Sequence, residues 1–400
     1  MKNLIAAVAI SLSASGAYAQ EALWGQAPVV SPQLNPDGTV TFRIEAPKAS
    51  DVKMTGDLLP VIKIKPEGYP DSITVRPPAI MHRNPDGIWE YTTPQPLDPE
   101  LYTYSFIVDS MRTIDMANPY VIRDVSTLNS LLSVPGNRAS LYMARAVPHG
   151  NVAKVWYDSD TLGRERRLTI YTPPAYTDDT DRSYPVLYLL HGMGGDENAW
   201  TELGRAQHIL DNLIARGLAE HMIVVMPNGN VSQSAAPGET AEGLRVPTLQ
   251  LPQTMDGTFE EVFPEIVAYV DSNYRTIPDK AHRAVAGLSM GGFHTLHLAR
   301  LYPDFADYLG LFSPKIYPFE GTESMVYADF DSRLAQVFAK KPTLVWLGIG
   351  KMDFLYDENA GFRHKLDASG YPYTYYESDG GHTWRNWRIY LTEFLPLLFR

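Results

Sequence analysis

The sequence Gly287-Leu288-Ser289-Met290-Gly291-Gly292 constrains the fold more than any other part of this chain. It joins a short strand-like run at 283–286 to a helix-like run at 293–301. A G-x-S-x-G sequence at a strand-to-helix junction is typical of a nucleophile elbow, a turn so tight that only small residues fit beside the serine. The helix that follows directs its free N–H groups toward any negative charge that develops there. We therefore predict that Ser289 is a nucleophile.

The second half of the chain alternates short apolar runs with helix-like stretches. One helix-like stretch, at 262–274, carries its apolar residues on one face, and the strand-like runs lie at 167–171, 186–190, 222–226, 283–286 and 343–347. Strands that alternate with helices predict a mostly parallel, doubly wound sheet that is covered on both faces. Together with the elbow, this pattern predicts an α/β hydrolase.

The segment from 28 to about 140 has a different period. Residues 39–44 and 101–108 alternate with the strand period of two, and N-P-D-G turn sequences interrupt the pattern at 35–38 and 84–87. Short strands at this spacing predict a β-sandwich. We expect a linker near 135–150, which divides the chain into a sandwich at 20–145 and a hydrolase domain at 146–400.

Residues 1–19 are predicted to be a cleaved secretory signal peptide. Lys2 gives a positive start, an apolar run follows at 4–12, and Ala17-Tyr18-Ala19 is a cleavage sequence before Gln20. The apolar run is too short to span a bilayer. We therefore expect a secreted or periplasmic protein without a membrane span.

Composition narrows the classes of partner. The formal net charge of −12 argues against nucleic acid and anionic membranes, because both are bound by basic surfaces. The chain has no cysteine, which excludes disulfides and thiolate metal sites. Nothing in the composition predicts the oligomeric state.

A serine hydroxyl becomes a nucleophile when a base takes its proton and a third group orients that base. In α/β hydrolases the order along the chain is serine, acid, histidine. Two histidines lie well downstream of Ser289: His364 falls in a helix-like run, whereas His382 follows a strand-like run and Asp379-Gly380-Gly381. We predict that His382 is the base.

The acid is expected just after the strand-like run at 343–347. Asp353 lies on the loop that follows this run, and Asp357 lies four residues later, where a helix begins. We favour Asp353 and keep Asp357 as the alternative. Either carboxylate could instead be a helix N-cap or a solvated loop residue.

An oxyanion hole needs two backbone N–H groups, one of them from the residue after the nucleophile, here Met290. The strand-like run at 186–190 continues into a glycine-rich loop that can supply the second N–H, from Met193 or Gly192. The loop lacks the Lys-Ser/Thr pair of a phosphate-binding loop. His191 is expected to brace the loop.

Four motifs together resemble a known family. They are Tyr184-Pro185-Val186-Leu187-Tyr188-Leu189-Leu190-His191-Gly192-x-Gly194-Gly195-x-Glu197-x-x-Trp200, Gly287-Leu288-Ser289-Met290-Gly291-Gly292, Asp353-Phe354-Leu355-Tyr356 and Gly381-His382-x-Trp384. The stretch 150–400 resembles the putative esterase family, which contains esterase D and the bacterial feruloyl and acetyl-xylan esterases of carbohydrate esterase family 1. The resemblance implies a serine esterase without a cofactor, acting on feruloyl or acetyl esters of xylan-type polysaccharide.

The same family includes enterochelin esterases, mycolyltransferases and formylglutathione hydrolases. A siderophore or another small ester therefore stays an alternative substrate, whereas a cytosolic formylglutathione hydrolase conflicts with the predicted signal peptide.

The front segment resembles the immunoglobulin-like domains of the glycogen-binding (family 48-like) carbohydrate modules, on Phe42, Trp89, Tyr104 and Phe106 among others. A catalytically dead carbohydrate-binding protein is a further alternative, and the presence of Ser289, Asp353 and His382 argues against it.

Further side chains are candidates for binding. Trp200, Phe354 and Trp384 lie on predicted active-site loops and could form an apolar wall for an aromatic acyl group.

The polar stretch 231–256 is long enough to be a lid. His294 and His297 stand three apart on a helix, but a third metal ligand has no obvious source, so we expect no metal site there.

Overall fold

The computed structural model describes residues 29–64, 73–241, 247–249 and 251–400. The predicted signal peptide lies outside the described residues, as do parts of the stretch 231–256. Within the described parts of the chain, no helix has both the length and the apolar character needed to cross a membrane.

The front region consists of short strands that pair in antiparallel fashion. The strands are β1 Gln33–Leu34, β2 Val40–Glu45, β3 Val52–Gly56, β4 Ile62–Ile64, β5 Ile73–Val75, β6 Ala79–Ile80, β7 His82–Arg83, β8 Ile88–Thr92, β9 Glu100–Val108, β10 Met111–Thr113, β11 Val121–Asp124 and β12 Thr127–Val134. One sheet has the order β1-β2-β8-β7, and a second has the order β11-β12-β9-β3-β6 with β10 on β9. Strands β4 and β5 form a separate hairpin.

The two larger front sheets pack on one apolar core. Phe42 from the first sheet meets Tyr104 from the second edge-on, with ring centroids 4.7 Å apart. Val40, Met54, Trp89 and other buried side chains of both sheets belong to the same cluster. Because successive side chains of a strand point to opposite faces, the alternation at 39–44 and 101–108 gives each sheet one apolar face. The predicted β-rich front region is confirmed.

The second half contains an eight-stranded sheet with the order β13-β14-β16-β15-β17-β18-β19-β20. Its strands are β13 Asn151–Ser159, β14 Arg164–Thr172, β15 Val186–Leu190, β16 Ile223–Pro227, β17 Arg283–Leu288, β18 Tyr308–Phe312, β19 Leu344–Gly350 and β20 Thr374–Ser378. The pairs from β16 to β20 are parallel, whereas β14 pairs antiparallel with both of its neighbours. The predicted mostly parallel sheet is confirmed.

Helices cover both faces of this sheet. They are α1 Ala199–Glu202, α2 Ala206–Ala215, α3 Thr258–Asn273, α4 Met290–Leu301, α5 Phe330–Ala339, α6 Tyr356–Ala368 and α7 Trp384–Phe394, with short 3₁₀ turns at Asn137–Leu141, Lys280–His282 and Leu395–Leu397. Leu187 and Leu189 of β15 pack with α2 and α7 on one face. Val186, Tyr188 and Leu190 pack with α3 on the other. The continuous apolar run of β15 is therefore buried on both sides.

The segment predicted to be a linker packs against the second half. Leu141 and Tyr142, at the end of the 3₁₀ turn, are buried in the same apolar cluster as α2 and α7. Leu101 of β9 belongs to that cluster as well. The front region and the α/β region therefore share buried contacts rather than being joined by a free tether.

Candidate active site

Ser289 lies between the end of β17 and the start of α4, at φ 53° and ψ −111°. Positive φ is costly for a residue other than glycine, and such strain concentrates at functional sites. The backbone N–H of Ser289 donates to Phe312 O at 2.8 Å, which fixes the turn on the neighbouring strand. Between residues 284 and 300, Ser289 alone is not buried. The fold thus leaves Ser289 partly accessible to solvent and buries the residues on either side of it.

Close backbone contacts explain the glycines on either side of Ser289. A Cβ on Gly287 would lie 2.4 Å from the carbonyl carbon of Gly291. A Cβ on Gly291 would lie 2.4 Å from Leu190 O. Both contacts are with backbone, which cannot give way. The structure therefore has the tight elbow that the sequence motif predicts.

His382 and Asp353 are hydrogen-bonded to each other. The Nδ1 atom of His382 lies 3.0 Å from Oδ1 and 2.9 Å from Oδ2 of Asp353. Asp353 follows β19 and His382 follows β20, and these strands are parallel neighbours. The two loops are joined by a hydrogen bond from the Met352 N–H to Gly380 O at 2.9 Å. Adjacent strand ends therefore bring the two side chains together.

Asp353 and Asp357 have different surroundings. Asp353 is buried and also accepts a hydrogen bond from the Leu355 N–H at 2.9 Å. Asp357 is exposed in the first turn of α6. The structure therefore pairs His382 with Asp353, the acid favoured from the sequence.

The glycine-rich loop at 191–197, here called the oxyanion loop, runs beside the nucleophile. A Cβ on Gly192 would lie 3.4 Å from Ser289 Cβ. Gly192 and Met193 line the same cavity as Ser289 and His382. Met290 begins α4, so its N–H belongs to the free N-terminus of that helix. These backbone groups surround one space next to the serine hydroxyl.

His191 braces this loop as a neutral imidazole. Its Nε2 accepts a hydrogen bond from the Gly229 N–H at 2.8 Å, so the proton is on Nδ1. Nδ1 lies 2.8 Å from Gly192 O and donates to it. Burial lowers the pKa of His191, which keeps the ring uncharged.

A buried carboxylate supports the far end of the oxyanion loop. Glu197 accepts hydrogen bonds from Arg167 Nε at 2.7 Å, from Asn228 Nδ2 at 3.0 Å and from the Ala236 N–H at 2.9 Å. These contacts tie the loop to β14 and to the segment that follows β16. The sequence motif contains Glu197, but the motif alone does not indicate this bracing role.

The cavity beside Ser289 has a volume of about 1040 Å³ and lies between the two regions of the chain. Ser289, His382, Met193 and other residues of the α/β region line one side. Arg76, Tyr102, Asp124 and other residues of the front region line the other side. No motif or periodicity in the sequence indicates that the front region contributes to this wall.

The three aromatic candidates occupy different places. The Phe354 ring is 76% exposed and lies 4.5 Å from the His382 ring, and both residues line the cavity. Trp384 is half-buried and lines the cavity together with Asp124 of the front region.

Trp200 does not fit the role of a substrate-binding residue. It is 1% exposed, and its Nε1–H donates to Leu190 O at 2.9 Å. Its ring meets Trp384 edge-on at 5.3 Å. The prediction of a cavity-wall position is wrong because the short helix α1 turns this indole inward, where it supports Trp384 from behind.

His294 and His297 point into the protein and have other partners. The Nδ1 atom of His294 lies 2.8 Å from Oε1 of the buried Glu260, and Nε2 of His297 lies 3.2 Å from Ile316 O. Burial lowers the pKa of His297. Among the described residues, no group of three or more histidines, cysteines or carboxylates is placed to hold a metal ion.

Comparisons with known proteins agree with this geometry. A family model described as "Putative esterase" matches residues 159–398. An endo-1,4-beta-xylanase/feruloyl esterase of Xylanibacter ruminicola is 31% identical over 302 residues, which cover 72% of this chain and 36% of the relative. The chain thus spans about a third of that relative's length.

Solved structures show the same fold. A ferulic acid esterase from Anaeromyces mucronatus is 24% identical with a TM-score of 0.51, and the match covers 64% of this chain and 93% of that one. An enterobactin esterase from Shigella flexneri is 16% identical with a TM-score of 0.61, and the match covers 90% of this chain and 92% of that one. The second likeness extends over the front region as well as the α/β region.

Proposed function

Because the chain belongs to the Putative esterase family, whose model matches residues 159–398, we propose that it is a serine carboxylic-ester hydrolase. The observation that carries this proposal is the hydrogen-bonded pair of His382 and Asp353, which shares a cavity with the accessible hydroxyl of Ser289. A base that is oriented by an acid and shares a cavity with a partly exposed serine is the arrangement that activates a serine nucleophile.

In the first half of the reaction, Ser289 Oγ attacks the ester carbonyl carbon and its proton passes to Nε2 of His382. Asp353 holds Nδ1 and stabilises the imidazolium that forms. The backbone N–H of Met290 and that of Met193 or Gly192 bind the negatively charged oxygen of the tetrahedral intermediate. The C–O bond to the alcohol then breaks, His382 protonates the departing oxygen, and an acyl-enzyme remains.

In the second half, water replaces the alcohol. His382 takes a proton from water as the water oxygen attacks the acyl carbon. The tetrahedral intermediate collapses, the bond to Ser289 Oγ breaks, and His382 returns the proton to the serine. One ester and one water thus give one acid and one alcohol, and the side chains return to their starting state.

We propose that the substrate is a feruloyl or acetyl ester of a xylan-type polysaccharide. The name of the Xylanibacter ruminicola relative joins endo-xylanase and feruloyl esterase activities. Phe354 and Trp384 offer aromatic surface next to His382 for an aromatic acid. The cavity extends well beyond the catalytic side chains to Tyr102 and Asp124 of the front region, which suits a bulky, polar alcohol portion such as a sugar.

The remaining parts of the proposal concern the front of the chain. We propose that residues 1–19 direct export and that the protein acts outside the cytoplasm. We also propose that the front sandwich is an immunoglobulin-like domain of the carbohydrate-module type. Leu249, from the polar stretch 231–256, lines the cavity, so this side chain is placed to contact a bound substrate.

The decisive experiment replaces the nucleophile. Ser289→Ala is expected to abolish hydrolysis of p-nitrophenyl acetate and methyl ferulate and to prevent labelling by a fluorophosphonate, while the circular dichroism spectrum is unchanged. Full residual activity in this variant would contradict the proposal. Hydrolysis of methyl ferulate, acetylated xylan and a catecholate trilactone by the unmodified protein then separates the substrate classes, and a preference for the trilactone would replace the polysaccharide by a siderophore.

A further inference from the structure

A hairpin of the front region touches the oxyanion loop. Strands β11 and β12 are joined by a turn at Val125 and Ser126, and residues 123–126 are here called the hairpin tip. The Arg123 guanidinium pairs through Nη2 with Asp196 of the oxyanion loop. Its Nη1 donates to Val125 O at 2.6 Å, so the same side chain also ties the turn together.

The second contact is a close approach of Val125, in the hairpin tip, to Gly194 of the oxyanion loop. Gly194, in the middle of the oxyanion loop, has φ +76°. A Cβ at Gly194 would lie 2.7 Å and 2.9 Å from the two methyl carbons of Val125. The valine side chain therefore occupies the space that any other residue at position 194 would need.

Val125 is an unusual residue for its position. Its φ is 52°, a region in which a β-branched side chain is strained and which turns normally fill with Gly, Asn or Asp. A residue type that is unfavourable for its backbone conformation marks a position at which another contact matters more. Here the constraint is the contact between the Val125 methyl groups and Gly194.

The loop is thus held from two sides. Glu197 ties its inner end to the α/β core, as described above. Asp196 is 3% exposed and accepts a hydrogen bond from the Asn198 N–H at 2.9 Å while it pairs with Arg123. Gly192 and Met193, whose backbone borders Ser289, directly precede Gly194 and these two anchors in the loop. A shift of the hairpin tip would therefore move the proposed oxyanion donors.

We propose that the hairpin tip is a positioning element for the oxyanion hole, with Arg123 and Val125 as its working side chains. Ester hydrolysis then depends on the front region even for esters too small to reach it. This inference rests on the proposed esterase function. It concerns geometry at the transition state, because the donors bind the charge that develops there and add little to ground-state binding.

The sharpest test compares two glycine substitutions in the same turn, assayed in the full chain with p-nitrophenyl acetate. Val125→Gly removes the contact with Gly194 and also removes the backbone strain, because glycine adopts a positive φ readily. Ser126→Gly changes the adjacent, exposed turn residue and serves as the matched control. We expect Val125→Gly to lower kcat about tenfold or more with KM within twofold and with an unchanged or higher melting temperature. Equal kcat in the two variants would overturn the inference.

The ion pair gives an independent test. Arg123→Ala is expected to lower kcat at least as much as Val125→Gly, and Arg123→Lys is expected to restore part of the loss because an ammonium can still reach Asp196. Arg138→Ala is the control, since Arg138 pairs with Glu393 across the same two regions at 2.9 Å. A loss of kcat in Arg138→Ala equal to that in Arg123→Ala would contradict a specific role.

The two proposals fail in different ways. If the unmodified protein neither hydrolyses p-nitrophenyl acetate nor reacts with a fluorophosphonate, the proposed esterase function is wrong. If it does both, and the Val125 and Arg123 variants match it in kcat and in labelling rate, the function stands and the positioning role of the hairpin tip is wrong.

Discussion

His382 Nδ1 lies within 3.0 Å of both carboxylate oxygens of Asp353, and Asp353 is buried at the end of the neighbouring strand. The carboxylate therefore dictates that Nδ1 carries the imidazole proton, which leaves Nε2 as the nitrogen that can accept one. This relationship distinguishes Asp353 from Asp357, which is exposed on α6.

Asp353→Asn is expected to lower kcat by about 10⁴, because an amide can favour the wrong tautomer of the histidine and cannot stabilise the imidazolium. Asp357→Asn is the matched control and is expected to change kcat less than twofold. Steady-state kinetics with p-nitrophenyl acetate measure both. A larger loss in Asp357→Asn than in Asp353→Asn would reassign the acid.

Asp124 is expected to select for the alcohol part of the substrate. Its carboxylate lines the front-region side of the cavity, and a charged hydrogen bond to a sugar hydroxyl is worth about 1.5–3 kcal/mol. Asp124→Ala should lower kcat/KM for a feruloylated arabinoxylan oligosaccharide about tenfold and leave kcat/KM for methyl ferulate within twofold. Equal losses with both substrates would show that the sugar does not bind on this side.

Arg388 is expected to be a major contributor to stability. It lies on α7 and is buried, and its Nη2 donates to Glu100 Oε1 at 3.1 Å and to Leu101 O at 2.9 Å in the front region. Removal of one partner from a buried ion pair costs about 3–5 kcal/mol. Arg388→Ala should lower the free energy of unfolding by about 3 kcal/mol, the lower end of this range, because Arg385 also lies near Glu100.

The matched control is Arg138→Ala, since the side chains of Arg138 and Glu393 are 41% and 38% exposed. Exposed ion pairs contribute about 0–1 kcal/mol. Urea unfolding followed by fluorescence compares the two variants. Similar losses in both would show that the buried pair has no special weight.

His208 is expected to make stability depend on pH. Burial, aided by the nearby Arg205 guanidinium and His149 and opposed by Asp211, lowers the pKa of His208 from 6.5 to about 4. Between these values the unfolded chain binds a proton that the folded protein does not bind. The free energy of unfolding therefore falls as the pH is lowered from about 6.5 toward 4. The lowered pKa values of His191 and His297 act in the same direction.

His208→Gln removes one such proton, so its free energy of unfolding should fall less than that of the parent between pH 6.5 and 5. Urea titrations at several pH values give both slopes. An unchanged slope in His208→Gln would show that this histidine titrates normally in the folded protein.

The pairing of Asp353 with His382 could be predicted from the sequence. In a parallel sheet the carboxyl ends of the strands lie at one edge, so residues just after strands β19 and β20 meet although 29 positions separate them. The elbow was equally predictable, because Gly287 and Gly291 are required by contacts within a short stretch of chain.

Other features depend on how separate parts of the chain dock. Arg123 and Asp196 are 73 positions apart and belong to different regions, so no local pattern indicates their contact. Trp200 follows a glycine-rich loop, but the direction of its side chain is set by α1 and by the acceptor Leu190 O. Periodicity predicts which residues are buried in a strand or helix, and it gives no information on which loops of two regions touch.

Leu101 sits on a strand of the front sheet and is buried among side chains of α2 and α7. Changes on either side of this contact therefore have to be compatible with each other. Recombination that exchanged the front region for another sandwich would have to bring an apolar side chain to the position of Leu101 and a hairpin with the reach of residues 123–126. Sequence drift in the front region is accordingly restrained by the surface on which it rests, as well as by its own core.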